Sequence, residues 1–179
     1  YLREELRPIA IFAYNTGWRK SEILSLKWNQ VDFEGRTVRL DPGTTKNGEG
    51  RTIYMTEELE SLLREQRRKQ VITPWVFHHE DGKQIKEFKR NWNTACRKAG
   101  VQGTLFHDLR RTATRNLVRA GIPERIAMEM TGHKTRSVFE RYNIVSEADL
   151  MEAARRLSDY NRLLKSTIKV GSFGADIKE

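Results

Sequence analysis

The stretch Leu105-Phe106-His107-Asp108-Leu109-Arg110-Arg111-Thr112 carries two kinds of residue on two arcs of one helix. Positions three apart project from the same face, so His107 and Arg110 converge. Leu109, Ala113, Leu117 and Ala120 fall on a neighbouring arc, which anchors one side and leaves the other turned to a ligand. The spacing predicts a helix from about His107 to Ala120. Taken alone, the same residues also make an ordinary basic surface helix, so their meaning depends on the chain around them.

Downstream, Gly121-Ile122-Pro123 sets a proline in the first turn of a following helix that stops at Gly132. Thr131-Gly132-His133 places a histidine just past that helix end, and a short helix through Tyr142 follows, with Arg141 beside the tyrosine. Ser146 and Asp149 cap a last amphipathic helix through Leu164, whose stripe of Leu150, Ala153, Ala154, Leu157 and Leu164 needs a surface to bury it. Residues 166–179 read as a poorly ordered tail. Of the other tyrosines, Tyr14, Tyr54 and Tyr160 sit in apolar periodic patterns that suit packing, and Tyr1 lies at the edge of the sequence.

Upstream, Phe88, Trp92, Ala95 and Ala99 give a helix ended by Gly100, and Asp81-Gly82 a turn. Trp75-Val76-Phe77 reads as a short extended segment. Leu59, Leu62, Leu63 and Gln66 mark another helix, with a solvated basic end at Arg64 to Lys69. Val31–Gly35, Thr37–Leu40 and Thr52–Met55 alternate as strands, with a Gly-rich loop holding Lys46 between the last two. A short helix over Lys20 to Trp28 and a first helix through Leu6, Ile9, Ala10 and Ala13, closed at Thr16-Gly17, complete the chain. The fold class is α+β, mainly helical, with a small three-stranded antiparallel sheet.

A chain of 179 residues supports one domain with a real core. Its 33 Lys and Arg against 24 Asp and Glu leave a net charge of +9, the balance of a protein that meets phosphates, whether in DNA, RNA or an acidic membrane. Cys96 is the single cysteine, so no intrachain disulfide and no cysteine-rich zinc site can form, which fits a reducing, cytoplasmic setting. His78-His79 are adjacent and cannot share a helix face as metalloprotease ligands do. No GxxxxGK[ST] loop is present, and Gly48-Glu49-Gly50 is too short for a dinucleotide fingerprint.

Arg19, in Thr16-Gly17-Trp18-Arg19-Lys20-Ser21-Glu22, opens a helix where free N–H groups and the helix dipole favour an anion, and its planar fork can bond two phosphate oxygens. Glu22, one turn on, can hold that guanidinium; a plain surface Arg–Glu pair has the same spacing.

In order, TGWRKSE, the TKNGEGR loop, HDLRRT, TGHKT and ERY resemble the boxes of the tyrosine recombinases, the phage-integrase family, over about residues 1–160. By that resemblance, Arg19 matches the first catalytic arginine, Lys46 the β-hairpin lysine, His107 and Arg110 the H-x-x-R pair, His133 the second histidine, and Tyr142 the nucleophile. The resemblance implies a catalytic domain over 1–165, including the helix 146–164, without the helical DNA-binding domain that usually precedes the first box. It implies cleavage and rejoining of double-stranded DNA through a 3′-phosphotyrosine, with no metal, nucleotide or other cofactor. It also implies a homo-oligomer of tetramer type on DNA, with the last helix exchanged between protomers, acting at the prokaryotic or phage nucleoid. The alternatives are a type IB topoisomerase, whose active-site chemistry is nearly the same, and a basic DNA-binding module without catalysis.

Overall fold

The computed structural model describes residues 1–43, 50–141 and 145–167, and divides into two compact units, residues 1–143 and 144–179. In the first unit a 3₁₀ turn, Glu4–Leu6, leads into α1, Arg7–Thr16, which has a proline in its first turn and ends on Gly17 at φ 65°. A left-handed residue closes a helix without strain only where no Cβ is present. Here the position is also tight: a Cβ on Gly17 would lie 3.0 Å from Thr131 Cγ2 and 3.2 Å from Ala113 Cβ.

Next come α2, Lys20–Leu24, and a 3₁₀ turn, Trp28–Gln30. The helix expected over Lys20 to Trp28 is thus cut after five residues. Beyond it Leu26 O accepts from Val76 N–H, Trp28 N–H donates to Pro74 O, and Lys27 bridges to Trp75. Backbone bonds to a distant segment replace the helical ones, and that same bridge is all the strand character Trp75-Val76-Phe77 acquires.

Strands β1, Val31–Asp32, β2, Thr37–Leu40, and β3, Arg51–Tyr54, form an antiparallel sheet in the order β1-β2-β3, with Val38 opposite Ile53 and Leu40 opposite Arg51. Alternation sends Val38, Leu40 and Ile53 into the core. Tyr54, out of phase with them, is 76% exposed. Tyr14 and Tyr160 are exposed as well. Tyr14 and Tyr54 thus lie on the solvent side of their elements' periods and not in the core as expected, whereas Tyr160, three residues after Leu157 and four before Leu164, shares the exposed apolar stripe of the last helix.

Helices α3, Glu57–Arg68, α4, Lys89–Lys98, α5, Asp108–Arg119, α6, Glu124–Thr131, and α7, Arg136–Glu140, follow. The basic end of α3 is solvated as expected, Arg64, Arg67, Arg68 and Lys69 all being exposed, while the Arg64 guanidinium lies over Phe33 and that of Arg67 over Trp28. The core gathers Ile9, Phe12, Trp18, Leu63 and Phe77, with the Phe12 ring edge-on to Trp18 and Phe77. Helix α1 packs on α5, α5 on α6, and α6 on β3, and the end of α1 at Gly17 lies against Ala113 of α5 and Thr131 of α6.

In the second unit α8 spans Glu147–Thr167, running past the expected end at Leu164 and into the segment read as a tail. Ser146 and Asp149 form its reciprocal cap, as their spacing predicts. Leu150, Met151, Leu157, Leu163 and Leu164 are exposed on it. Among the described residues no helix is long and apolar enough to cross a membrane.

Candidate anion-binding active site

The site forms where helix ends converge. Arg19 is the N-cap of α2, and Glu22 closes the turn by accepting the Arg19 backbone N–H at 2.8 Å. The same carboxylate takes Arg19 Nη1 at 2.9 Å, so the local spacing holds the guanidinium as the sequence suggested. Arg19 Nη2 reaches toward Gly132 O at 3.4 Å.

Arg110 differs from the expected outward-pointing arginine. It is buried, and Nη1 donates to Gly17 O at 2.5 Å and to Thr131 O. Those carbonyls close α1 and α6, where the helix dipoles are negative and unsatisfied acceptors remain. The arginine of α5 thereby pins two helix ends, 93 residues and 21 residues away in sequence, around itself.

His107 is the N-cap residue of α5 and is exposed. The loop before it is fixed by Trp92 Nε1 donating to Thr104 O at 2.8 Å, by Phe106 edge-on to Phe88 and Trp92, and by Leu105 N–H donating to Asp108 Oδ2 at 2.8 Å. Its imidazole pKa is drawn below the usual value by partial desolvation and then by the charges of Arg110 and Arg111.

His133, just past the left-handed Gly132 that ends α6, is buried, edge-on to Phe139 of α7. Burial, then the charges of Arg110 and Arg19, lowers its pKa to about 3, so the ring is neutral near pH 7. Thr131 Oγ1 lies 2.7 Å from His133 Nδ1 and donates to Ala127 O at 2.7 Å. Its one proton is committed to the helix carbonyl, so Nδ1–H of His133 is the donor and Nε2 carries the lone pair.

Arg19, His107, Arg110 and His133 are therefore brought together; Lys46 and Tyr142 lie outside the described residues. Two participants escaped the sequence reading. Thr131 sets the histidine tautomer. Arg51 of β3 donates from Nη2 to Glu22 Oε2 at 2.5 Å, and its side chain is 8% exposed. The sign of Arg51 was its place at the close of TKNGEGR, opposite an apolar residue in a strand that otherwise buries only Ile53. Burial pushes the Glu22 carboxyl up, but the Arg51 charge and the hydrogen bonds from Arg51 and Arg19 outweigh it and leave the pKa below the ordinary value.

Comparison with known proteins agrees with this architecture. Residues 2–149 match the model of the phage integrase family. The chain is 27% identical over 170 residues to an integrase of Salmonella phage P22, covering 87% of this chain and 43% of the relative. It is 30% identical over 164 residues to tyrosine recombinase XerA of Pyrococcus furiosus, covering 88% and 56%. It thus spans about half the length of these relatives. Among solved structures, the XerA recombinase superposes with a TM-score of 0.67 at 21% identity, covering 87% of this chain and 64% of that one. The Tn1549 transposon integrase, in complex with circular intermediate DNA, superposes with a TM-score of 0.69 at 19% identity, covering 85% and 57%. The fold is that of a tyrosine-recombinase catalytic domain, and with its family model matched over most of its length this chain belongs to the phage integrase family.

Proposed function

We propose that this chain is the catalytic part of a site-specific DNA recombinase that cleaves and rejoins double-stranded DNA through a 3′-phosphotyrosine. The observation that carries the reading is the gathering of Arg19, Arg110, His107 and His133 at one meeting of helix ends, with Glu22 and two helix carbonyls fixing the guanidiniums. Phosphodiester attack puts added charge on the equatorial oxygens, and cations held in place before reaction stabilise it selectively.

Arg19 and Arg110 meet those oxygens. His133 joins them once the phosphate anion offsets the field of the arginines and lets Nε2 take a proton, turning a neutral ring into a donor. The Tyr142 oxygen bonds to phosphorus while the P–O5′ bond breaks. His107 takes part in moving the tyrosine proton, and Lys46 supplies one to the leaving 5′ oxygen. The ester keeps the bond energy, so the released 5′-hydroxyl can reverse the step or a partner strand can complete it. The protein acts on DNA in the prokaryotic cytoplasm, as a homo-oligomer of tetramer type in which the apolar stripe of α8 packs on a neighbouring protomer.

Incubation with a suicide duplex, whose cleaved 5′ fragment diffuses away, tests this. Wild type should give a covalent adduct mapping to Tyr142, and Tyr142→Phe should bind duplex without forming one. An adduct on Tyr1, Tyr14, Tyr54 or Tyr160, all exposed, would refute the assignment.

A further inference from the structure

We infer that Arg51 is a positioning residue of this site: by sharing Glu22 with Arg19 it sets where the Arg19 guanidinium rests. The inference rests on the reading that Arg19 meets the reacting phosphate.

Glu22 is engaged from two sides. Arg19 uses Nη1 on Oε1 at 2.9 Å and its backbone N–H on Oε2, while Arg51 uses Nη2 on Oε2 at 2.5 Å and Nη1 toward Oε1 at 3.5 Å. A carboxylate facing one arginine closes a two-bond fork around it. Arg51 occupies the oxygen that would complete such a fork with Arg19, so Arg19 keeps a single side-chain bond to Glu22.

Exposure separates the roles. The Arg19 side chain is 23% exposed, whereas those of Arg51 and Glu22 are 8% and 1% exposed. Arg51 is the inner partner that offsets the carboxylate, and Arg19 the outer one left with charge for an anion. Without Arg51 the full Glu22 charge would fall on Arg19 and compete with the phosphate for it.

Arg51 also touches the turn that carries His133. Its guanidinium lies 5.0 Å from the Trp18 ring centroid, and its Nη1 fills the space where a Gly132 Cβ would stand. One side chain on β3 thus braces the segment before Arg19 and the segment before His133.

The test uses R51Q, E22Q and the double variant in the full-length protein. Without DNA, the Arg19 Nε–H resonance in nitrogen-15 spectra, assigned with R19K, reads the guanidinium directly. With a suicide duplex, single-turnover adduct formation at saturating protein reads catalysis. R51Q should shift the Arg19 resonance and slow adduct formation by about 10- to 100-fold, somewhat less than removal of a direct transition-state donor. R51Q/E22Q should be no slower than E22Q, because with the carboxylate neutral Arg51 has nothing to offset. An Arg19 resonance and adduct rate in R51Q that both match wild type would overturn the proposal, as would rate losses that multiply in the double variant. Since R51Q leaves Glu22 under-compensated and can cost the fold, the double variant, which removes both buried charges, then decides. A tenfold further loss relative to E22Q overturns the inference. If wild type forms no adduct on any duplex while R51Q still shifts the Arg19 resonance, the catalytic reading fails and the positioning one stands.

Discussion

His133 should make this protein lose stability on mild acidification, in a manner that one substitution removes. In the folded chain its pKa lies at about 3, whereas an unfolded histidine titrates near ~6.5. Between those values the unfolded chain binds a proton that the folded chain refuses, so unfolding is favoured as pH falls. The contribution of neutral His133 is fully present above ~6.5 and is lost progressively down to about 3. At pH 5, about 1.5 pH units into that window, the loss amounts to ~2 kcal/mol, or about 30-fold in the folding equilibrium. Urea unfolding followed by tryptophan fluorescence at pH 7 and pH 5 measures it. His133→Gln keeps a hydrogen-bonding partner for Thr131 but cannot titrate, so it should lose ~2 kcal/mol less than wild type over the same interval. His107, whose pKa is also lowered, acts in the same direction in both proteins and largely cancels from the difference. Equal losses in the two proteins would refute the claim that His133 is buried neutral against the arginine charges.

Three other outcomes are expected. Arg110→Met should lower stability even without DNA, by about 2–4 kcal/mol, because Gly17 O and Thr131 O lose a charged donor at buried helix ends; Arg19→Met should cost far less in the same urea titration. Gly132→Ala should destabilise by at least ~1–3 kcal/mol from its φ of 72° alone, and by displacing Arg51 should also reduce adduct formation. Duplex affinity should fall with salt, each neutralised phosphate contributing about −0.9 to the slope of log K against log salt, and binding unchanged between low and physiological salt would count against phosphate docking.

Features set by local spacing were legible in the sequence. Glu22 stands one turn from Arg19 and caps its helix, Ser146 and Asp149 cap α8, and the alternation of Val38, Leu40 and Ile53 fixes the faces of the sheet. Each follows from the period of a helix or strand and needs only neighbours within a few residues. The H-x-x-R spacing likewise put His107 and Arg110 on the same turn of one helix.

What the tertiary structure alone decided depends on partners far apart in the chain. Arg110 turned inward, because the carbonyls ending α1 and α6 offer it better acceptors than water and the packing of α5 brings them within reach. The helix after Arg19 stopped at Leu24 because Pro74 and Val76 compete for its backbone. Arg51 of β3 meets Glu22 of α2 through tertiary packing, and no spacing rule links residues 29 positions apart. Sequence period determined which residues share a face of one element; which elements face each other, and so which charges share a site, was decided by burial of the common core around Phe12, Trp18 and Phe77.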